Sequence, residues 1–352
     1  MSGLGRNGDN VADGGSYWRW RWGRWGSASP QSEGYSLLLP VPGDLPVFLE
    51  LALAICRTQD SDYRLSTYVI PDQDTPVMRE IVADAASSWP GGLHLLPLPM
   101  PERWLLPRLK TGWRNHAVQL ITGTKASKST HLILHDADLF LLQPHFFDSH
   151  FLECRDRSLS CLGVSPVWDE WFAEHGRHLA ATWELCAKVD WLRSFPPYLH
   201  IGHDAVVFNE PHNCDTTLHP QALTPPDQVG VHNREQEFVH FNYVISTYRE
   251  FQHSRESFVD SQYRLLLIRL FIDIFGQKSW EYDVPDAPTL TKGLTDPTVA
   301  VRYPDVAEGA QEYSAFRTKL ERMFAAPAWA GHPTPDVLQT FDDYYGHQPV
   351  GP

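Results

Sequence analysis

Thr130-His131-Leu132-Ile133-Leu134-His135-Asp136-Ala137-Asp138-Leu139-Phe140-Leu141-Leu142 is an almost unbroken apolar run into which two carboxylates, one residue apart, are set. Leu132, Ile133 and Leu134 show no polar alternation. That is the pattern of a strand covered on both faces by helices, and the length of the run favours strand over helix. The polar chemistry is confined to the point where the strand stops. Asp136 and Asp138 cannot both stay ionised in an apolar setting unless a cation, a lysine or water neutralises them. A hard divalent ion such as Mg2+ or Mn2+ does this while taking only one or two protein carboxylates, and it leaves its other positions to water and phosphate oxygens. The alternative reading of the same residues is an exposed turn whose carboxylates cap the next segment.

On the N-terminal side of this run the chain alternates strand and helix. Tyr35 to Val41 reads as a first strand, stopped by Pro42-Gly43. Leu45 to Cys56 is apolar all round, as a helix packed on a sheet is. Leu65 to Ile70 is a second strand, ended by Pro71-Asp72, and Thr75 with Pro76 opens a helix in cap-then-proline order that runs to about Ser88. Leu93 to Leu96 makes a short third strand. After the run, Leu139 to Leu142 leads away as a short strand, Ser158 to Val164 is another, Glu170 to Val189 reads as a helix, and His200 to Asn209 turns apolar again. This β-α-β order implies an α/β fold with a mainly parallel sheet, and a ligand site outside the carboxyl ends of the strands.

Three further groups carry chemistry. Arg103 to Lys128 is basic for this chain, with Arg108, Lys110 and Arg114 around Trp113, and such charges can reach phosphates or simply face solvent. His203, beside Asp204 at the mouth of a strand after Gly202, reads as a metal ligand or its support, or as a packing residue. Asn233-Arg234-Glu235-Gln236-Glu237-Phe238-Val239-His240-Phe241 puts acids where a helix from about Arg234 to Phe251 would start, favoured by the helix dipole.

A hydrophobic strand running into Asp-x-Asp and followed by a second apolar strand resembles the metal and nucleotide-sugar motif of GT-A-type glycosyltransferases. The resemblance covers about residues 35 to 250. It implies a GT-A-like (Rossmann-like) sheet flanked by helices, with a helical and loop C-terminal extension, and a sugar moved from a nucleotide-sugar donor to an acceptor hydroxyl. By the same resemblance Asp136 and Asp138 hold Mn2+ or Mg2+, with Asp136 also on the donor. Pro40, Val41 and Asp72 fall where the base and ribose are held, and Arg108 and Lys110 beside the phosphates. Glu237, then Glu235, falls where such enzymes keep the acid that takes the acceptor's proton, although the usual acidic pair is adjacent and here Gln236 intervenes. A late histidine, His332 or His347, is a further conceivable ligand. Two rivals share part of the pattern. Phosphatases of the haloacid-dehalogenase kind also end a strand in Asp-x-Asp, but on the first strand, and with Thr or Val where Phe140 stands. A non-catalytic glycan- or membrane-binding module can keep a transferase fold.

Composition narrows the partners. The chain has 352 residues, 42% of them hydrophobic, enough for a large α/β unit with appendages. Lys and Arg number 29 against 43 acids, a net charge of −14 that argues against nucleic-acid binding. The five cysteines show no Cys-x-x-Cys spacing, so no disulfide framework or zinc knuckle is expected and a reducing cytoplasm is the expected location. No apolar run has the length of a membrane span, and no signal-peptide core is expected at the N-terminus. Residues 1–32 read as disordered or loosely attached, 33–282 as the transferase-like domain and 283–352 as a loop-rich extension. Within the first segment Tyr17-Trp18-Arg19-Trp20-Arg21-Trp22-Gly23-Arg24-Trp25 reads either as Trp faces packed on the body or as a peripheral membrane contact.

Overall fold

The computed structural model describes residues 23–27, 31–109, 112–255, 258–276, 279–329, 331–332 and 335–347, the side chains of 105–113 excepted. In chain order the elements are β1 (Ser32–Val41), α1 (Pro46–Arg57), β2 (Arg64–Pro71), α2 (Pro76–Ala86), β3 (Leu93–Leu95), α3 (Met100–Leu109) and α4 (Gly112–Ala126). There follow β4 (Ser129–His135), β5 (Leu139–Leu141), α5 (Phe146–Asp156), β6 (Cys161–Gly163), α6 (Glu170–Glu174), β7 (Glu184–Lys188) and α7 (Val189–Ser194). Then come β8 (His203–Val207), β9 (Glu210–Cys214), α8 (Leu218–Leu223), β10 (Val229–Val231), β11 (Phe238–His240) and α9 (Val244–His253). The chain closes with β12 (Phe258–Val259), α10 (Arg264–Phe275), α11 (Ala287–Lys292), β13 (Val301–Arg302), α12 (Val306–Phe324) and α13 (Val337–Tyr345). Two compact units divide these elements: residues 1–43, 60–136 and 145–235 in one, residues 44–59, 137–144 and 236–352 in the other.

The first unit is an α/β sandwich of the expected GT-A-like, Rossmann-like kind. Its seven-stranded sheet has the order β10-β6-β7-β4-β1-β2-β3. β1 pairs in parallel with β2 and β4, β2 with β3, and β6 with β10, whereas β7 runs antiparallel to both β4 and β6. Leu37 to Leu39 and Leu132 to Leu134 are completely buried, as apolar strands without alternation must be when both sheet faces are covered. The register Leu37↔Ile133 and Leu38↔Leu134, with Val41↔Pro71 on the other side, brings the carboxyl ends of β1, β2 and β4 to one edge. Asp72 and Asp136 follow directly there. Helix α4 is held against the sheet by Gly123, where a Cβ would come within 2.6 Å of Leu38 Cδ1. After β1 the chain turns at Gly43, where a Cβ would lie 2.0 Å from the Gln73 carbonyl oxygen, so only glycine fits.

One expectation changes in this unit. Helix α6 covers only Glu170–Glu174, and Glu184–Lys188 is a strand. Leu185, Cys186 and Ala187 are fully buried between β4 and β6, and the two ladders outweigh the local helical pattern. His203 opens a two-stranded hairpin, β8 with β9, which turns at Phe208 and Asn209 in left-handed conformation. Of the tryptophan-arginine patch, residues 17–22 lie outside the described residues. Trp25 packs on its own unit, its Nε1 donating to the Phe195 carbonyl at 2.6 Å and its ring edge-on to His200. All five cysteines are buried, and none forms a disulfide among the described residues. Among the described residues no helix is long and apolar enough to cross a membrane.

The second unit is mainly helical. β5 and β11 pair antiparallel, with Leu139↔His240 and Leu141↔Phe238. Phe140 of this ribbon meets Phe271 of α10 and Trp329 edge-on, and Phe271 meets Phe48 of α1 in the same way. The expected helix from Arg234 is instead a turn, strand β11 and then α9 from Val244. Phe238, Val239 and Phe241 are buried, the Leu142 amide donates to the Glu237 carbonyl at 2.8 Å, and Tyr243 at φ 67° separates the ribbon from α9. Cross-strand pairing thus prevails over the acidic first-turn signal. The C-terminal residues carry α12 and α13, joined by Arg317, whose Nε and Nη2 donate to the two oxygens of Asp342 at 2.7 and 3.0 Å while Tyr313 donates to Oδ1 at 2.7 Å. Removing the carboxylate strands a buried guanidinium. Asp342→Ala is expected to destabilise the protein by about 3–5 kcal/mol, read from denaturant unfolding, whereas exposed Asp343→Ala costs under about 0.5 kcal/mol.

Asp260, 1% exposed, caps α10 by accepting from the Arg264 and Leu265 amides, each at 2.8 Å. Burial nevertheless pushes its carboxyl up to about 6, against the pull of those amides and of Arg264. The native state therefore holds this proton more tightly than the unfolded chain. The stabilisation is full below the ordinary carboxylate pKa and is lost as pH rises through about 6, at most about 3 kcal/mol. Asp260→Asn keeps an acceptor for the cap, and unfolding measured from pH 4 to 7 should lose that part of its pH dependence.

Candidate active site

Asp136 closes the β4 ladder. Its amide donates to the Trp183 carbonyl at 3.0 Å, and its carboxylate lies 2.9 Å from His116 Nε2 on α4. One residue earlier, His135 and Glu184 face each other across β4 and β7, Nδ1 to Oε2 at 2.5 Å, with both side chains wholly buried. Burial raises the Glu184 carboxyl above its ordinary range, with His135 opposing and the Asp136 charge adding to the rise. The turn that carries Asp136 is thereby pinned by a main-chain bond and underlain by a side-chain pair.

Asp138, two residues further along the chain, belongs to the second unit. Its carbonyl accepts from the Phe241 amide at 3.1 Å, and its Oδ1 lies 3.3 Å from Nε2 of His240, the last residue of β11. The β5–β11 ribbon is what brings this imidazole to the carboxylate. Asp136, held beside Asp138 by a single intervening alanine, completes with His240 a group of three half-buried residues able to ligate a metal ion. Two carboxylate oxygens and one imidazole nitrogen suit Mn2+, and suit Mg2+ with less preference for the nitrogen. Mutual repulsion of the carboxylates is the feature that a cation relieves.

The β11 edge also gathers cations. Lys319 Nζ donates to the His240 carbonyl at 3.0 Å, and Arg322 donates to that of Phe238 at 3.3 Å. Arg264, 5% exposed, donates to the carbonyls of Asn242 and Gln262 at 2.7 and 2.9 Å. Burial lowers the Arg264 pKa, and the Asp260 and Asp138 charges oppose that.

The other expected residues are placed as follows. Pro40 and Val41 are buried at the end of β1, where the Val41 carbonyl accepts from the Asp72 amide at 3.1 Å. Asp72 is buried and accepts from the Gly43 amide at 2.9 Å and from Asn115 Nδ2 at 3.0 Å, so it shapes the loop at the sheet's carboxyl edge. The side chain of Arg108 and all of Lys110 lie outside the described residues. Glu235 and Glu237 stand in the turn that leads into β11, Glu235 exposed and Glu237 half-buried. His203 is held by His219, Nε2 to Nδ1 at 3.0 Å, and by the Ile201 carbonyl, so the histidine grouped with the carboxylates is His240. His347 lies 3.2 Å from Glu321, and His332 packs against Phe275. His240 went unassigned in the sequence because its role depends on a pairing across about a hundred residues. The available signal was the alternation Val239-His240-Phe241, which sets one polar side chain apart from apolar neighbours.

No family model matches the chain, and no curated protein matches it. Solved structures do. A mannosyltransferase from Pyrobaculum calidifontis, in complex with GDP-Man and Mn2+, is 17% identical over 69% of each chain, with a TM-score of 0.36. Glucosyl-3-phosphoglycerate synthase from Mycobacterium tuberculosis, in complex with phosphoglyceric acid, is 14% identical over 68% of this chain and 78% of its own, with a TM-score of 0.40. S. aureus TarS 1-349 is 12% identical over 85% of this chain and 74% of its own, with a TM-score of 0.39. In its own strand order, and in the Asp-x-Asp turn at the end of a buried parallel strand, the chain resembles the GT-A-fold glycosyltransferases.

Proposed function

We propose that this protein is a metal-dependent glycosyltransferase that moves a sugar from a nucleotide-sugar donor to an acceptor hydroxyl. The observation that supports it most is the group Asp136, Asp138 and His240 at the carboxyl end of a fully buried parallel strand. A bound Mn2+ or Mg2+ there would supply positive charge to the departing nucleoside diphosphate. Asp136 and Asp138 would hold it by carboxylate oxygens and His240 by Nε2. Asp72, with the backbone of Pro40 and Val41, borders the part of the edge assigned to base and ribose. Glu237 is assigned as the base, with Glu235 second. As the acceptor oxygen bonds to the sugar and the sugar–phosphate bond breaks toward the diphosphate, the hydroxyl proton passes to the Glu237 carboxylate. A reducing cytoplasm remains the proposed location.

Thermal unfolding with UDP, GDP and their sugar conjugates, each with Mn2+ and with chelator, tests the assignment through linkage. One nucleotide should raise the midpoint only with metal, and Asp138→Ala should abolish the shift. His240→Ala should weaken Mn2+ binding by about 10–100-fold. A wild-type protein indifferent to every nucleotide and metal combination would sink the transferase reading. Once a donor is found, Glu237→Gln should lower kcat by about 10²–10⁴ with nucleotide binding intact, and Glu235→Gln should not. The reverse pattern would move the base to Glu235.

A further inference from the structure

We infer that Lys319 and Arg264 form an anion subsite that receives a phosphate oxygen of the donor's diphosphate. This rests on the transferase reading and adds to it residues from α10 and α12, well outside the stretch that carries the sequence resemblance.

Arg264 is buried and Lys319 half-buried, and each lies 5.8 Å from the centroid of one ring, Phe241. Both are anchored only by carbonyl oxygens: Arg264 by Asn242 and Gln262, Lys319 by His240. Among the described residues neither has a carboxylate within ion-pair distance. Asp260 spends both oxygens on the α10 amides, and Asp138 and Glu312, the other acids whose charge acts on Arg264, make no ion pair with it. For Lys319 the acid is Glu312, again without an ion pair. Two like charges drawn from water beside one ring repel each other, and carbonyl dipoles neutralise neither. A bound anion would do so.

The position suggests which anion. The carbonyls of Phe238, His240 and Asn242 alternate along one edge of β11, while the Glu237 carbonyl and the Phe241 amide bond toward β5. Lys319 therefore sits on the residue whose imidazole faces Asp138. A diphosphate with one oxygen on a metal held by Asp138 and His240 would present its other oxygens to the ammonium. Capping a strand edge would be served as well by neutral donors, so that role alone does not account for paired charge at this point.

The test uses full-length protein and two substitutions, Lys319→Met, which keeps the apolar stem, and Lys319→Arg, which keeps the charge. Binding of UDP, GDP and inorganic pyrophosphate with Mn2+, of Mn2+ alone, and of inorganic phosphate with chelator is measured by calorimetry. Unfolding midpoints confirm that the variants fold. The subsite predicts that Lys319→Met weakens the diphosphate that binds wild type by about 10-fold or more, leaves Mn2+ alone within twofold, and that Lys319→Arg restores most of the loss. Unchanged diphosphate affinity in Lys319→Met overturns the subsite and leaves the transferase reading standing. If wild type binds no diphosphate with metal, both fall. Phosphate bound without metal and lost in Lys319→Met, with diphosphate binding untouched, assigns the cations to a phosphorylated acceptor and overturns the donor assignment.

Discussion

Everything at the site depends on the complete burial of β4. A strand flanked by β1 and β7 and covered on both faces has no place for an unpaired charge along its length. Ionised carboxylates are therefore deferred to the point where the ladder ends, and there the Asp136 amide still bonds to Trp183. His135 and Glu184, the last cross-strand pair, tolerate burial because each is the other's partner. The result is a turn anchored by a main-chain bond and underlain by a buried side-chain pair, with its carboxylates beyond the end of the ladder.

At Ala137 the chain enters the second unit, where a different device supplies the imidazole of the group. A two-stranded ribbon sets Asp138 opposite His240, with aromatic rings of α1 and α10 packed behind Phe140. The carbonyls along the ribbon's other edge accept from Arg264, Lys319 and Arg322. Positive charge in an acidic chain is thus concentrated beside Asp138 and His240. It comes from helices late in the chain rather than from the basic stretch ahead of β4, whose Arg108 and Lys110 side chains lie outside the described residues.

Much of this was legible in the residues. The strand running into Asp136, the sequence of strands and helices through β3 and the polar turn at Asp72 follow from short-range pattern alone. Pattern failed where two readings were locally equal. Glu184–Lys188 continues a plausible helix, and Phe238–His240 follows an acidic turn that would start one, yet both are strands because neighbours distant in the chain offer ladders. Nothing local distinguishes a histidine that meets His219, as His203 does, from one that meets Asp138, as His240 does.

The sequence by itself determined the α/β class, the buried central strand and the two carboxylates at its end, because hydrophobic periodicity and the cost of burying charge act over a few residues. Only the tertiary structure decided that His240 joins the two carboxylates, that β7 runs antiparallel through the sheet, and that Lys319 and Arg264 bond to the carbonyls of His240 and Asn242. Those outcomes turn on pairings between distant segments, whose energies depend on which strand edge is available and not on the residues of either segment alone.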